Sequence, residues 1–271
     1  MTRPGALDPL IRPPAAAGLF YPAAAAELAD TVDALLAAAA ERSAPMPEGR
    51  PRALIVPHAG YRYSGAVAAA AYARLAGRPP ARVVLLGPAH FVRVTGCAVP
   101  RTTAWRTPLG QVSIDTTARD RALAVRGVYA DEEPHAREHA LEVQLPFLLR
   151  SVGGQVPVLP VAAHASPAAI ADLLDAIAAE SDTIVVASTD LSHYLPDAET
   201  RRRDARTVDA VLRLRPDLVA DHSACGAAAL RGLLSWARGS ALTPALLAQG
   251  TSADAGGDPH RVVGYAAFAF T

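Results

Sequence analysis

The feature that most constrains the fold is a set of short apolar runs without polar alternation. They are RALIVPH from Arg52 to His58, ARVVLLGPAH from Ala81 to His90, QVPVLPVAAH ending at His164, and DTIVVASTDLSHY ending at Tyr194. A strand with one solvated face alternates apolar and polar residues, whereas a strand covered on both faces does not. The sequence therefore predicts an α/β fold with a mostly parallel central sheet and helices on both faces.

Helical segments separate several of these runs. The stretch from Ala26 to Arg42 has apolar residues at helical spacing, and a second helix is predicted from Ser64 to Gly77. Ser166 and Pro167 start a third helix, because serine is a favoured N-cap and proline fits the first helical position. The stretch from Thr95 to Asp115 instead predicts two short strands around a TPLG turn, forming a hairpin at a sheet edge.

The composition excludes several classes of function. The 26 basic residues are all arginine and equal the 26 acidic ones, so there is no net field that attracts nucleic acid or anionic lipid. The absence of lysine removes Schiff-base chemistry and a phosphate-loop lysine. At 271 residues and 51% apolar content, we expect one domain spanning residues 1–271.

Cysteine usage and hydropathy bear on location. Cys97 and Cys225 are too few for the disulfide framework of a secreted domain. The sequence contains neither a signal-peptide apolar region nor the roughly 18 uninterrupted apolar residues of a membrane span. We expect a cytoplasmic protein without membrane contact.

Three of the predicted strands are followed closely by a histidine. His58, His90 and His193 each come just after such a run. In an open parallel sheet, ligands bind outside the carboxyl ends of the strands, so neighbouring strands would bring these imidazoles to one crevice. Imidazole binds metals and moves protons near neutral pH. The alternative is three histidines at unrelated places. His164 follows a fourth run but has no partner nearby in sequence, and we expect no role for it in catalysis.

Two further residues have chemistry suited to this crevice. Asp190 precedes His193 by three residues, a spacing that can orient the imidazole or a bound metal, although an N-cap at Ser188, Thr189 or Asp190 also explains it. Ser223 is expected to cap a helix with Cys225 in its first turn. A helix N-terminus lowers a thiol pKa and favours the thiolate, which binds metal or reacts with oxidants. A buried, inert cysteine is the alternative.

The stretch PHAREHALEVQLPF, from Pro134 to Phe147, offers a competing motif. Pro134 predicts a helix start, which would place His135 and His139 one turn apart. His135, Glu138 and His139 match the H-x-x-E-H pattern of inverted zinc peptidases. Because so short a pattern arises easily by chance, a polar helix lining a site is the other interpretation.

The assembled motifs resemble the Memo family, whose bacterial members are called AmmeMemoRadiSam system protein B. The motifs appear in the family's order over nearly the whole chain: RPPAAAGLFYP, PHAGYRYSG, LLGPAH, TPLG, EHALEVQLPF, STDLSHY, ACG and VVGYAAFAF. Departures are small, with Ala140 where serine is usual, Leu191 where phenylalanine is frequent and Ala253 where glycine is common.

This resemblance implies a fold similar to the catalytic subunit of class III extradiol dioxygenases, which are non-heme iron enzymes. It places His58, His90 and Cys225 at metal-ligand positions, with Cys225 where those enzymes have a carboxylate. His193 falls at the position of the general base, with Asp190 beside it. The residues expected to line the crevice or support its ligands are Tyr61, Tyr63, His139, Glu142 and Tyr194.

The resemblance implies two classes of function. One is a redox or oxygen-related metalloprotein, an iron- or copper-dependent oxidoreductase, with zinc as a third metal that this donor set accepts. The other is a protein that binds a metal or a peptide without turnover, as a partner of radical-SAM and AMMECR1-like proteins. The expected ligand is a small molecule or a peptide. A zinc hydrolase built on His135, Glu138 and His139 is the remote alternative.

Overall fold

The computed structural model describes residues 10–42, 49–77, 79–153, 155–179 and 182–271. Its strands are β1 (Ile11–Arg12), β2 (Ala53–Val56), β3 (Arg82–Gly87), β4 (Gly96–Val99), β5 (Ala104–Thr107), β6 (Gly110–Ser113), β7 (Val128–Ala130), β8 (Val158–His164), β9 (Thr183–Ser188), β10 (His193–Leu195), β11 (Pro244–Thr251) and β12 (Val262–Phe270). Its α-helices are α1 (Ala25–Glu41), α2 (Tyr61–Tyr72), α3 (Thr116–Leu123), α4 (Glu133–Ala136), α5 (Gln144–Ser151), α6 (Pro167–Ile177), α7 (Asp197–Leu212) and α8 (Ala227–Gly239).

The central sheet has the order β10-β12-β2-β9-β3-β8-β4-β7, and β11 pairs with β12. The neighbours β2, β9, β3 and β8 are parallel to one another. All of β2 and β9 and nearly all of β3 and β8 are buried, as strands covered on both faces must be. The predicted α/β fold with a mostly parallel centre is therefore confirmed. None of the helices in the described residues is long and apolar enough to cross a membrane.

The Thr95–Asp115 stretch divides between two sheets. The TPLG turn does join two strands, β5 and β6, which form a small sheet with β1. The residues before it form β4, which pairs antiparallel with β8 inside the central sheet. The predicted hairpin therefore lies in a separate sheet that holds the start of the described chain against the body of the protein.

Two helix predictions are wrong in detail. The stretch from Pro134 to Phe147 is not one helix, because α4 ends at Ala136 and α5 begins only at Gln144. Cys225 is not in the first turn of α8, which begins at Ala227 with Gly226 as its N-cap residue. Ser223 does not cap this helix; its hydroxyl donates to the carbonyl of Ala220. The Ser166 cap is confirmed, since its hydroxyl accepts a hydrogen bond from the N–H of Ala169.

Candidate metal centre

The residues of the candidate site come from the carboxyl ends of parallel strands and from two loops. His58 and Asp190 each lie two residues beyond the end of a strand, β2 and β9, and His90 lies three residues beyond β3. His139 comes from the connection between α4 and α5, and Cys225 from the connection that precedes α8. Of the three predicted strand-end histidines, His58 and His90 come together, and a loop histidine, His139, joins them in place of His193.

Three imidazoles form the centre of the site. Potential ligand atoms of His58, His90 and His139 all lie within 4.8 Å of one another. The ring of His58 meets the other two nearly edge-on, with centroids 5.2 Å from His90 and 5.4 Å from His139. The Sγ atom of Cys225 lies 3.1 Å from Nε2 of His58. A tetrahedral metal with bonds of about 2.0 to 2.3 Å separates its ligand atoms by roughly 3 to 4 Å, so the three imidazoles could hold one ion. Cys225 contacts His58 but is not part of this group of mutually close ligand atoms.

The tautomer of His58 follows from its hydrogen bonds. Its Nδ1 lies 2.9 Å from Oγ of Ser188, and that hydroxyl donates its own proton to the carbonyl of Ala140 at 2.7 Å. The Ser188 oxygen also accepts an N–H from Gln144. It must therefore accept from Nδ1–H of His58, which leaves an unprotonated Nε2 facing Cys225. This is the state of an imidazole that binds a metal.

Glu138 fixes His90 in the same way. Its Oε1 lies 2.9 Å from Nδ1 of His90, and its Oε2 accepts the backbone N–H of the same residue. Burial alone would raise the pKa of Glu138. These hydrogen bonds, together with that from the N–H of Ala140, lower it instead to about 2. Because the ionised carboxylate only accepts hydrogen bonds, Nδ1 of His90 carries a proton and Nε2 is the free donor atom.

His139 is positioned by stacking. Its ring lies between Phe20, with centroids 4.0 Å apart, and His90, with centroids 4.7 Å apart. Its Nδ1 is buried and has no hydrogen-bond partner among the described residues, although Oε1 of Glu138 is 3.3 Å away. A buried polar atom without a partner is costly, and a bound cation is one group that would satisfy it.

His58 and His139 are kept neutral. Burial, followed by repulsion from His90, lowers the pKa of His58 to about 3. Burial, and after it the electrostatic repulsion from His58, lowers the pKa of His139 to about 4. Since a protonated imidazole cannot bind a metal, both side chains are ready for coordination at neutral pH.

Cys225 differs from the sequence-based expectation. Burial and the neighbouring Asp190 raise the pKa of its thiol to about 12, so without a metal it is protonated at neutral pH. The thiol accepts the N–H of Asp190 at 3.3 Å and faces the lone pair on Nε2 of His58. The expectation of a thiolate stabilised by a helix N-terminus is wrong, because the residue lies outside the helix. A metal ion would have to displace the thiol proton.

Asp190 and His193 lie beside this cluster in different roles. Asp190 is buried, and its Oδ1 accepts the backbone N–H of His58 at 2.7 Å, so the carboxylate holds the turn that presents the imidazole. His193 is half-buried at the start of β10, and its charge affects the pKa of both His58 and Asp190. Its ring adjoins that of Tyr194, 63% exposed.

The remaining predicted residues are distributed more widely. Tyr61 is buried and donates its hydroxyl to the carbonyl of Val143. Tyr63 is 38% exposed and lines a separate groove beside β11. Glu142 is fully buried and accepts hydrogen bonds from Arg12, Ala15, Ala16 and Tyr21. Tyr61 and Glu142 thus support the structure around the histidine cluster, whereas Tyr63 lines that groove.

The H-x-x-E-H pair is not assembled. His135 points away from the cluster, with Nε2 at 3.1 Å from the carbonyl of Ala98 and its ring against Trp105. In the described part of the chain, the group that can hold a metal contains His139 but not His135. The spacing in sequence therefore does not make a zinc-hydrolase site.

Sequence reasoning missed the residues that orient the ligands. The sequence pointed to Glu138 only as part of the H-x-x-E-H pattern and to Ser188 only as a possible N-cap. Gln144, whose side chain donates to Ser188 and to the carbonyl of Pro57, was not identified. A polar residue in an otherwise apolar strand end, as at Ser188, is a signal that could have been used.

Comparisons with known proteins show the family of this chain. The sequence profile described as Memo-like protein matches residues 12–269. The chain belongs to the Memo family. A MEMO1 family protein of Aeropyrum pernix is 35% identical over 282 residues, covering 95% of this chain and 98% of that protein. One from Aquifex aeolicus is 37% identical over 211 residues, 76% of each chain. One from Thermotoga maritima is 34% identical, covering 94% and 97% of the two chains.

A solved structure supports the fold. The crystal structure of the uncharacterized protein JW3007 from Escherichia coli K12 superposes with a TM-score of 0.50, covering 80% of this chain and 99% of that one. At 15% identity this similarity shows the fold alone. It is consistent with the extradiol-dioxygenase-like architecture expected from the sequence.

Proposed function

We propose that this Memo family protein is a non-heme metalloprotein whose centre is held by His58, His90, His139 and Cys225. The observation that carries the proposal is the orientation of the imidazoles. Ser188 and Glu138 accept hydrogen bonds from Nδ1–H of His58 and His90, so the Nε2 lone pairs are free, and that of His58 faces the thiol of Cys225. Buried networks of this kind position metal ligands in proteins.

The donor set favours a redox-active transition metal. Imidazole suits iron, copper and zinc, and thiolate adds preference for softer ions such as copper(I) and zinc. A bound iron or copper ion would supply one-electron and oxygen chemistry to this crevice. Among the chain's own groups, half-buried His193 is suited to give or take a proton beside it, and Phe20 shields one face of His139 from water. We therefore favour an oxidoreductase of unassigned substrate.

Metal analysis tests the proposal directly. Protein purified without oxygen and loaded with iron, copper or zinc should bind about one ion, measured by elemental analysis after desalting. The variants His58→Ala and His139→Ala should lose most of this metal, since each removes a neutral donor. Cobalt(II) loading should give a thiolate-to-metal charge-transfer band that disappears in Cys225→Ser and persists in Cys97→Ser.

Two results would decide against parts of the proposal. Equal metal content in wild type and His58→Ala would exclude the cluster as the metal site. Tight metal binding without oxygen consumption or redox turnover in any loaded form would support the alternative, a protein that binds metal without catalysis. A variant His193→Ala should keep the metal and lose any turnover that is found, which separates proton transfer from coordination.

A further inference from the structure

A cavity of about 410 Å³ opens directly beside Cys225. It lies at the carboxyl ends of β3 and β8, where parallel sheets bind their ligands. Its walls are mostly small and apolar, including Ala89, Val94, Ala163 and Ala228. Small-molecule pockets fall in the range of about 300 to 1,000 Å³, so this cavity suits a compact molecule.

The polar groups of the cavity are mainly basic. Arg93 is exposed at its rim and makes no hydrogen bond or ion pair with any residue in the described ranges. Arg231 is 22% exposed, held by the carbonyl of Val219 and by Asp221, whose own side chain is 86% exposed and extends into solvent. His164, the fourth strand-end histidine, completes the rim.

We propose that this cavity binds a small organic anion, held by Arg93 and Arg231, with its apolar body against the walls and one end at Cys225. The proposal rests on the function proposed above and names its substrate class as a compact carboxylate or phosphate ester. Two arginines oppose a single aspartate, and guanidinium groups match carboxylate and phosphate oxygens with paired hydrogen bonds. A cleft with low-dielectric walls strengthens this attraction.

The geometry also gives His164 a role that its sequence context did not indicate. It lies on the same rim as the arginines and close enough to Asp221 to affect the pKa of that carboxyl. An imidazole at this position donates a hydrogen bond to an anion in either protonation state. Its contribution is to orient the ligand, while the arginines supply the charge.

Alkylation of Cys225 in the metal-free protein is the test. Iodoacetate carries a carboxylate and iodoacetamide does not, but both react with the same thiolate. The ratio of their rates at fixed pH therefore cancels the ionised fraction of the thiol and reports the attraction of the cavity for an anion. We expect the ratio at Cys225, followed by mass spectrometry, to fall about tenfold in Arg93→Gln, the loss expected for one hydrogen bond to a charged group.

The controls make the result decisive. Arg238 lies at the other end of α8, so Arg238→Gln should leave the ratio of the two alkylation rates unchanged. Arg93 has no hydrogen-bond or ion-pair partner in the described structure, so its replacement should not affect folding. Arg231→Gln is a second variant, whose folding is checked by circular dichroism. Succinate or methyl phosphate, at matched ionic strength, should protect Cys225 from iodoacetate, and the more protective of the two identifies the preferred anion.

A ratio that is the same in wild type and Arg93→Gln, with no protection by either anion, would overturn the proposal. This outcome is distinguishable from failure of the metal site, because the alkylation test uses no metal. Anion selectivity without metal binding would retain the pocket and remove the metalloprotein proposal. Metal binding without anion selectivity would retain the metalloprotein proposal and rule out the anion pocket.

Discussion

At the residue scale, one hydroxyl determines the chemical state of His58. Ser188 is fully buried, donates to the carbonyl of Ala140 and accepts from both His58 and Gln144. Its three hydrogen bonds are satisfied only if His58 carries its proton on Nδ1. The residue thus orients a candidate metal ligand.

We predict that Ser188→Ala weakens metal binding by roughly 10- to 100-fold, the loss typical of groups that orient metal ligands. It should also destabilise the protein by about 1 to 3 kcal/mol, because buried N–H groups of His58 and Gln144 lose their acceptor. Metal titration and urea unfolding measure the two effects.

The matched control is Ser166→Ala, which removes the N-cap of α6. It should reduce the free energy of unfolding by about 1 kcal/mol and leave metal affinity unchanged. If both variants weaken metal binding equally, the effect of Ser188 comes from general destabilisation, and its orienting role is excluded.

At the element scale, the N-terminal segment of residues 10–22 is fastened over the site by one buried carboxylate. Glu142 accepts the guanidinium of Arg12, the N–H groups of Ala15 and Ala16, and the hydroxyl of Tyr21. The same segment carries Phe20 onto the ring of His139. Glu142 is therefore a positioning residue for the candidate metal centre.

We predict that Glu142→Gln destabilises the protein by about 3 to 5 kcal/mol, because it leaves the buried cation of Arg12 without its counter-charge. Residues 10–22 should gain amide hydrogen exchange before the central strands do, since the amide NH2 cannot accept and two of the four hydrogen bonds to residue 142 are lost. Glu199→Gln, which breaks only ion pairs on the surface of α7, is the control and should change stability by less than about 1 kcal/mol. Unchanged exchange in residues 10–22 would contradict the anchoring role.

Elements set by local pattern were predictable, and those set by distant contacts were not. The apolar runs specify β2, β3, β8 and β9 by themselves. The break between α4 and α5 depends instead on Arg12, whose guanidinium bonds the carbonyls of His135 and Glu138, groups that a continuous helix would use itself. No local signal reveals a partner more than 120 residues away.

The position of Cys225 illustrates the same limit. Its backbone N–H donates to the carbonyl of Asp190. The backbone N–H of the next residue, Gly226, donates to the hydroxyl of Thr189, and any side chain at position 226 would collide with Thr189. This contact starts α8 three residues later than the Ser223 pattern indicates. The resemblance to the family supplied His58, His90 and Cys225 as a set. The inclusion of His139 required the fold.

At the scale of the whole molecule, the parallel sheet concentrates residues that are far apart in sequence. His58 and Cys225 are 167 positions apart, yet their side chains are in contact. The same fold buries several histidines, and burial keeps these imidazoles neutral. His58, His135 and His139 all have a pKa lowered mainly by burial, to about 3, 4 and 4 from an ordinary value of 6.5.

This burial predicts a steep loss of stability in mild acid. Between pH 6.5 and about 4 the unfolded chain binds protons that the folded protein does not, so the free energy of unfolding falls as pH falls. Each histidine contributes about 1.4 kcal/mol per pH unit, and three together give a slope of about 4 kcal/mol per unit. Asp190 acts in the opposite sense, because burial raises its pKa and the folded protein keeps a proton that the unfolded chain has lost.

Urea unfolding of the metal-free protein at a series of pH values between 7 and 4 measures this slope. His135→Asn should reduce it by about one third, since one of the three depressed imidazoles is gone while the metal cluster is untouched. His260→Asn, at an exposed position, should not alter it. A slope equal in wild type and His135→Asn would show that His135 is protonated in the folded state. A wild-type slope that is flat in this window would contradict the neutral state of the three histidines, since the one carboxyl of Asp190 offsets at most one imidazole.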